Sequence, residues 1–460
     1  MKKLRLFDLA WPIFVETALF MLLGFVDVFI LSGYNDLAAS SVNTAGQAVS
    51  IVTLVFTVIS GASAVLISQY LGADKKLEAS RIAALSIVLN LVSGIIVSVL
   101  FTIFSDEILK GIGADGDVLK FSSQYLEIVG STIFIQAYMS AVSVIIRNHG
   151  MTKLTMYITV GINILNAGLD YIFVQGLFGA PALGVAGAAG ATVFSRLIGA
   201  VIMSAALFTR VEKPSVFKLL RPFPVKDVVD MLKIGIPSAT ETFLYNLSQL
   251  VITSIVLTYL TDTELITKTY VQNISMFFYI FAVAIGQASQ IITGHNVGAG
   301  YMEKAYKDGF RAYFHALGCM VIMCTLGVIF RRQLLGIFTS DEAVIALGST
   351  VIMINLVLEL GRTTNLVMIA TLRGAGDVYF PTICAIFSMW LLSVLVTYIF
   401  AVKLNMGIYG LWIGITSDEC IRGILMLIRW KSKKWQTKRI VKETGGKSYE
   451  SGSSDPQVQL

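Results

Sequence analysis

Residues 9–32 read LAWPIFVETALFMLLGFVDVFILS. A helix needs about 20 apolar residues to cross the hydrocarbon of a bilayer, and this run has the length and the composition. Met1-Lys2-Lys3-Leu4-Arg5 precedes it, and it lacks the short apolar core ending in small residues that a cleaved leader carries. It therefore reads as an uncleaved first transmembrane span. Glu16 and Asp27 are embedded in it, and a carboxylate at membrane depth is costly enough to be a functional candidate by default.

Eleven further runs of the same kind follow, at approximately 41–71, 82–104, 121–146, 154–178, 183–209, 234–260, 269–297, 310–330, 344–370, 380–402 and 407–430. The spans at 41–71 and 269–297 exceed the bilayer, which predicts tilt or kinks there. The runs are continuous rather than alternating, which excludes a β-barrel. Of the 460 residues, 55% are hydrophobic and only 14% charged, and mean hydropathy is +0.76. Soluble domains carry about 25% charged residues. The net charge of +6 is dispersed in short clusters between spans, not gathered into a nucleic-acid-binding face.

One set of connecting segments holds 25 Lys and Arg and the other set six. By the positive-inside rule both termini are expected in the cytoplasm of a multi-pass plasma-membrane protein. The expected organisation is an N-terminal six-helix lobe at 1–209, a basic linker at 210–233, a C-terminal six-helix lobe at 234–430, and a tail at 431–460. That tail is basic, then polar, and is expected to be disordered.

The halves resemble each other at an offset of 226 residues. Leu71-Gly72-Ala73 matches Val297-Gly298-Ala299, Asp115 matches Asp341, and Arg147-Asn148-His149-Gly150 matches Arg373-Gly374-Ala375-Gly376. With small shifts, Pro12 and Glu16 match Pro237 and Glu241, and Gly184-Val185-Ala186-Gly187 matches Gly407-Ile408-Tyr409-Gly410. An even number of spans per half gives parallel repeats, the arrangement of alternating-access transporters with a cavity between the halves. The fold class is therefore all-α and membrane-integral, with twelve helices in two pseudo-symmetric six-helix bundles.

Asp27, Asn166, Asp170 and Thr192 reach a similar depth in the first half. Asn166 and Asp170, four apart, share a helix face. Two carboxylates, an amide and a hydroxyl suit a sodium ion, or one carboxyl carrying a proton, or a satisfied structural cluster. Glu16 and Glu241 either line the inner cavity or brace the proline-containing helix starts. Glu359 and Arg362 can pair on span 10, and Asp418, Glu419 and Arg422 form a second network, with Arg422 snorkelling. Tyr138, Tyr245, Phe277, Phe278 and Tyr279 are candidates for an aromatic wall that holds organic cations. The four cysteines and three histidines are scattered and give no metal set, and no GxxxxGK[ST] loop is present. Transport would run on a proton or sodium gradient, with no cofactor, and the sequence offers no catalytic set.

These residues carry a resemblance. Leu9-Ala10-Trp11-Pro12 with Phe25-Val26-Asp27, Gln69-Tyr70-Leu71-Gly72-Ala73, Asn166-Ala167-Gly168-Leu169-Asp170-Tyr171, Gly235-Ile236-Pro237, and Leu372-Arg373-Gly374-Ala375-Gly376-Asp377 are together similar to the MATE (multidrug and toxic compound extrusion) transporters. These belong to the multidrug/oligosaccharidyl-lipid/polysaccharide exporter superfamily. The resemblance implies a V-shaped pair of bundles that exports lipophilic, often cationic compounds by proton or sodium antiport, functioning as a monomer. It assigns the N-lobe cation site to Asp27, Asn166, Asp170 and Thr192. The NorM-like branch carries a second, C-lobe carboxylate site, but Arg362 and Tyr245 stand at those positions here. The resemblance therefore leans to the DinF-like branch and a proton-coupled N-lobe mechanism. The alternative within the superfamily is a lipid-linked oligosaccharide flippase. It would need a strongly cationic cavity, and only Arg362 is read as deep within a span. An intramembrane enzyme or a receptor is a more distant alternative.

Overall fold

A computed structural model describes residues 4–441, which are helical with no strand among them. The first half contains α1 (Leu6–Ser32), α2 (Asp36–Gly72), α3 (Lys76–Gly111), α4 (Gly116–Ser131), α5 (Ile133–Asn148), α6 (Thr152–Gln175) and α7 (Val185–Arg210). The second contains α8 (Val225–Tyr259), α9 (Asp262–Gly298), α10 (Met302–Ile329), the short α11 (Arg331–Gly336), α12 (Glu342–Gly374), α13 (Tyr379–Lys403) and α14 (Gly407–Lys431). Among the described residues ten helices are long and apolar enough to cross a bilayer, and α4 with α5 makes an eleventh, bent crossing. The twelfth is α14, whose midsection carries Asp418, Glu419 and Arg422.

The kinks are not where length suggested. Helices α2 and α9 each run 37 residues without a break, about 55 Å at 1.5 Å per residue, so their ends stand clear of the hydrocarbon. The sharp bend, 50°, lies between α4 and α5. There Ser131 Oγ donates to Ile128 O at 3.0 Å and Thr132 Oγ1 to Val129 O at 3.1 Å. The bend falls where Thr132 leaves helical geometry, at φ −111° and ψ 11°, and the back-bonding hydroxyls add to it. In α1, Pro12 has no N–H to offer the carbonyl of Asp8. The hydroxyl of Thr152 on α6 donates to that carbonyl at 3.2 Å, so the backbone is satisfied from outside the helix.

The repeat reaches into the turns. Asn35 caps α2, its Oδ1 accepting from Leu37 N at 2.8 Å, and Thr261, 226 residues on, caps α9 in a capping box with Glu264. Gly184 and Gly407, which start α7 and α14, both have φ +54°, a left-handed conformation that glycine adopts without strain.

Helix α1 straddles both halves. Leu9, Ala10 and Ile13 are buried in a core with Ile285, Ala288, Met368 and Leu372 of the second half, whereas Leu31 joins a first-half core with Val129 and Val185. The halves meet at the end that carries most Lys and Arg, here called the basic end, in a reciprocal crossing of α2 and α9. A Cβ at Gly72 would collide with the His295 carbonyl, and one at Gly298 with the Gln69 carbonyl. Gln69 Nε2 donates to Gly374 O at 2.9 Å, and His295 Nε2 donates to Asn148 O at the same distance. Each contact maps onto the other by the 226-residue offset. Arg147 Nη1 adds a bond to Gln287 Oε1 at 3.1 Å. Among the described residues, the side-chain hydrogen bonds that join the halves all lie at this end, which is closed.

The segment expected to link the lobes, 210–233, is structured. It forms a 3-10 turn at Pro214–Leu220, and α8 begins at Val225, where buried Asp227 pairs with Arg81 of α3. The tail is ordered through residue 441. Trp435 is fully buried and stacked on Trp430 with ring centroids 4.1 Å apart, Arg439 Nη2 donates to Gly298 O at 2.7 Å, and Ile440 N donates to Gln69 Oε1 at 3.1 Å. One buried tryptophan anchors a segment whose basic composition reads as solvent-exposed. Residues 442–460 lie outside the described residues.

Candidate functional site

Three helices bring the first-half cluster together. Asp27 comes from α1, Asn166 and Asp170 from adjacent turns of α6, and Thr192 from α7. Asn166, Asp170 and Thr192 are buried. Asn166 Nδ2 donates to Thr192 Oγ1 at 3.5 Å. Asp27 Oδ1 and both carboxylate oxygens of Asp170 are buried without a hydrogen-bond partner among the described residues, and the two carboxyls neighbour each other in the site. Two carboxylates can only accept, so their approach becomes a bond when one of them carries a proton or a cation bridges them. Asn166 Oδ1 is also buried without a hydrogen-bond partner among the described residues. The donor set is all oxygen and fits a hard monovalent cation or a proton.

The sequence reading left out two members. Tyr125 of α4 is buried beside Thr192 and Asp27. Arg196 lies one helical turn beyond Thr192 on α7, within electrostatic reach of Asp27 and Tyr125, and its Nη1 is buried without a partner. The i,i+4 spacing from Thr192 was the available signal.

The second half holds a larger charged network. Arg362 bonds Glu359 at 2.7 Å and lies 3.6 Å from Glu419; Arg422 bonds Asp418 at 2.8 Å and lies 3.4 Å from Glu419. Asn365 donates to Glu419 at 2.8 Å and Ser388 donates to Asp418. The two networks expected on spans 10 and 12 are thus one, and Arg422 is buried inside it rather than snorkelling. Three carboxylates against two guanidiniums leave a formal charge of −1. Arg362 is not the only deep arginine, but Arg196, Arg362 and Arg422 each stand beside carboxylates, so no strongly cationic cavity results.

Glu16 accepts from Ser143 at 3.0 Å and Thr155 at 3.2 Å; Glu241 accepts from Arg373 at 2.7 Å and Thr382 at 3.1 Å. Each glutamate thus ties the first helix of its half to the fourth and fifth spans. Tyr138 shares a 2.6 Å bond with Ser204 of α7. Tyr245 is 40% exposed and its phenol lies within electrostatic reach of Arg362. Phe278 is not a wall residue: it is buried in the second-half core against Gly327 of α10. Its neighbour Tyr279, a candidate of the same set, is 39% exposed and lies within electrostatic reach of Arg362.

The family model described as MatE matches residues 12–172 and again residues 237–399, beginning each time at the proline of the repeat. The chain belongs to the MATE family of membrane transporters. This MATE chain is 36% identical over 434 residues to the "Uncharacterized transporter YisQ" of Bacillus subtilis, covering 94% of the chain and 95% of that relative. It is 28% identical over 448 residues to the "Probable multidrug resistance protein NorM" of Thermotoga maritima, with 96% of each covered. Among solved structures, the "Crystal structure of MATE in the bent conformation" superposes with a TM-score of 0.85 at 21% identity, over 93% of this chain and 95% of that one. The family is one of transporters, not enzymes, and its twelve-helix, two-lobe architecture is the fold described above.

Proposed function

We propose that this MATE transporter exports lipophilic, cationic organic compounds across the plasma membrane in exchange for an inward-moving proton. It works as a monomer with its basic end and both termini in the cytoplasm. The observation that carries the reading is the convergence of Asp27, Asn166, Asp170 and Thr192 from three helices, with the two carboxyls as neighbours. Helix α1 supplies the coupling. It bears Asp27 in one half and is wedged by Leu9 and Ile13 into the other, so a cation taken up at Asp27 alters the packing of a helix that spans the seam. Ion and drug must each favour a different state for exchange to be obligatory. Tyr245, Tyr279 and the net negative network around Glu359 suit a cationic aromatic substrate.

The test is efflux of a fluorescent organic cation from proteoliposomes under separately imposed proton and sodium gradients, with Asp27→Asn alongside. A proton gradient alone is expected to drive efflux, and Asp27→Asn to abolish it in a folded protein. Drive by sodium alone would keep the site and change the ion; full activity of Asp27→Asn would remove Asp27 from coupling.

A further inference from the structure

We propose that the groove at the seam on the basic end binds the headgroup of an anionic phospholipid, whose acyl chains lie along an aromatic wall made by α1 and α10. The groove measures about 1790 Å³, and among its lining residues Lys and Arg outnumber Asp and Glu by seven to four. The cations come from both halves, Arg5 and Lys75 from the first and Lys304, Lys307 and Arg311 from the second. Most of the acids are already engaged: Asp74 with Lys76 at 3.7 Å, Asp308 with Arg311 at 3.5 Å, and Glu303 with Lys433. Arg5, Lys304 and Lys307 have no ion pair among the described residues. Unneutralised cations around a groove at one end of a membrane bundle are suited to phosphate.

The apolar surroundings point to a lipid rather than a free anion. Phe7 and Trp11, one turn apart on α1, are 50% and 61% exposed, and Phe314 on α10 is 62% exposed. Phe7 meets His315 edge to face at 5.6 Å, joining α1 to α10, and Phe310 stacks on Phe314 at 6.2 Å along α10, so both helices present aromatics beside the cations. Exposed aromatics at the end of a membrane helix sit at the level of lipid headgroups. A headgroup held by Arg5, Lys304 and Lys307 braces the start of α1 against α10 beside the seam.

The test uses the full chain in detergent, with phosphatidylglycerol, phosphatidylcholine of the same acyl chains, and inorganic phosphate as probes. Lipid retention is read by native mass spectrometry and stabilisation by the thermal midpoint. Phosphatidylglycerol is expected to bind at least tenfold tighter than phosphatidylcholine. The preference should vanish in Arg5→Gln/Lys304→Gln/Lys307→Gln and survive in Arg5→Lys/Lys304→Arg/Lys307→Arg. Equal retention of the two lipids, an unchanged preference in the glutamine variant, or equal stabilisation by inorganic phosphate would overturn the proposal. If the glutamine variant does not fold, the comparison of lipids on the parent and the charge-preserving variant still decides. The readout is binding, so it stands or falls separately from any efflux result.

Discussion

Arg196 changes the charge balance of the first-half site. With Asp27 and Asp170 both ionised the cluster carries −1; without the guanidinium it would carry −2 in a medium that solvates neither charge. Removing one partner from a buried charge cluster costs about 3–5 kcal/mol when the rest stays charged. Arg196→Gln is therefore expected to lower the thermal midpoint at neutral pH, and Arg196→Gln/Asp27→Asn to recover most of the loss. A double variant no more stable than the single one would separate Arg196 from Asp27. The cluster's four polar residues were legible in the sequence because polar groups at membrane depth stand out against an apolar run. Arg196 was not, since a lone arginine in a span gives no sign of which carboxylate it faces until α1 and α7 are packed. Phe277, Phe278 and Tyr279 were read together for a related reason: successive residues on a helix differ by 100°, and where nearly every side is apolar nothing in the sequence singles out Phe278 as the buried one.

Between elements, the connection after α7 is held by Glu212, whose two carboxylate oxygens each lie 2.8 Å from the Ser80 hydroxyl on α3. Burial pushes the Glu212 carboxyl above its ordinary value, with the Ser80 bond opposing. A raised folded value means that this group's contribution to stability is present in acid and lost as pH rises through the raised value. Glu212→Gln removes that dependence. Its thermal midpoint is expected to match the parent's near pH ~4 and to exceed it by a margin that grows toward pH ~7. A constant difference across the range would show that burial does not act on this carboxyl. The crossing helices could be read from the sequence because a 20-residue apolar run has few alternatives. The bend at Ser131-Thr132 and the early start of α8 at Val225 could not. The first is one residue, Thr132, leaving helical geometry inside an apolar run, and the second extends a helix beyond the lipid, where apolar length no longer marks it.

Across the whole molecule, the closed basic end depends on two glycines that let α2 and α9 touch backbone to backbone. Gly72→Leu or Gly298→Leu places a side chain where a carbonyl of the other half now lies. Either variant is expected to hold the basic end open, read as a longer spin-label distance between positions 76 and 304; an unchanged distance distribution would mean that the crossing is not the seal. The sequence disclosed the repeat and both glycines but not that they meet, because an offset relates copies without saying how they face one another. They face each other reciprocally: what Gln69 does to Gly374, His295 does to Asn148. A surface that binds its own copy in this way has the form of an interface between identical subunits. The seam is thus a homodimer contact enclosed within one polypeptide, and substitution on one face alters only half of a matched pair, so that restoring the fit requires a complementary change in the other copy.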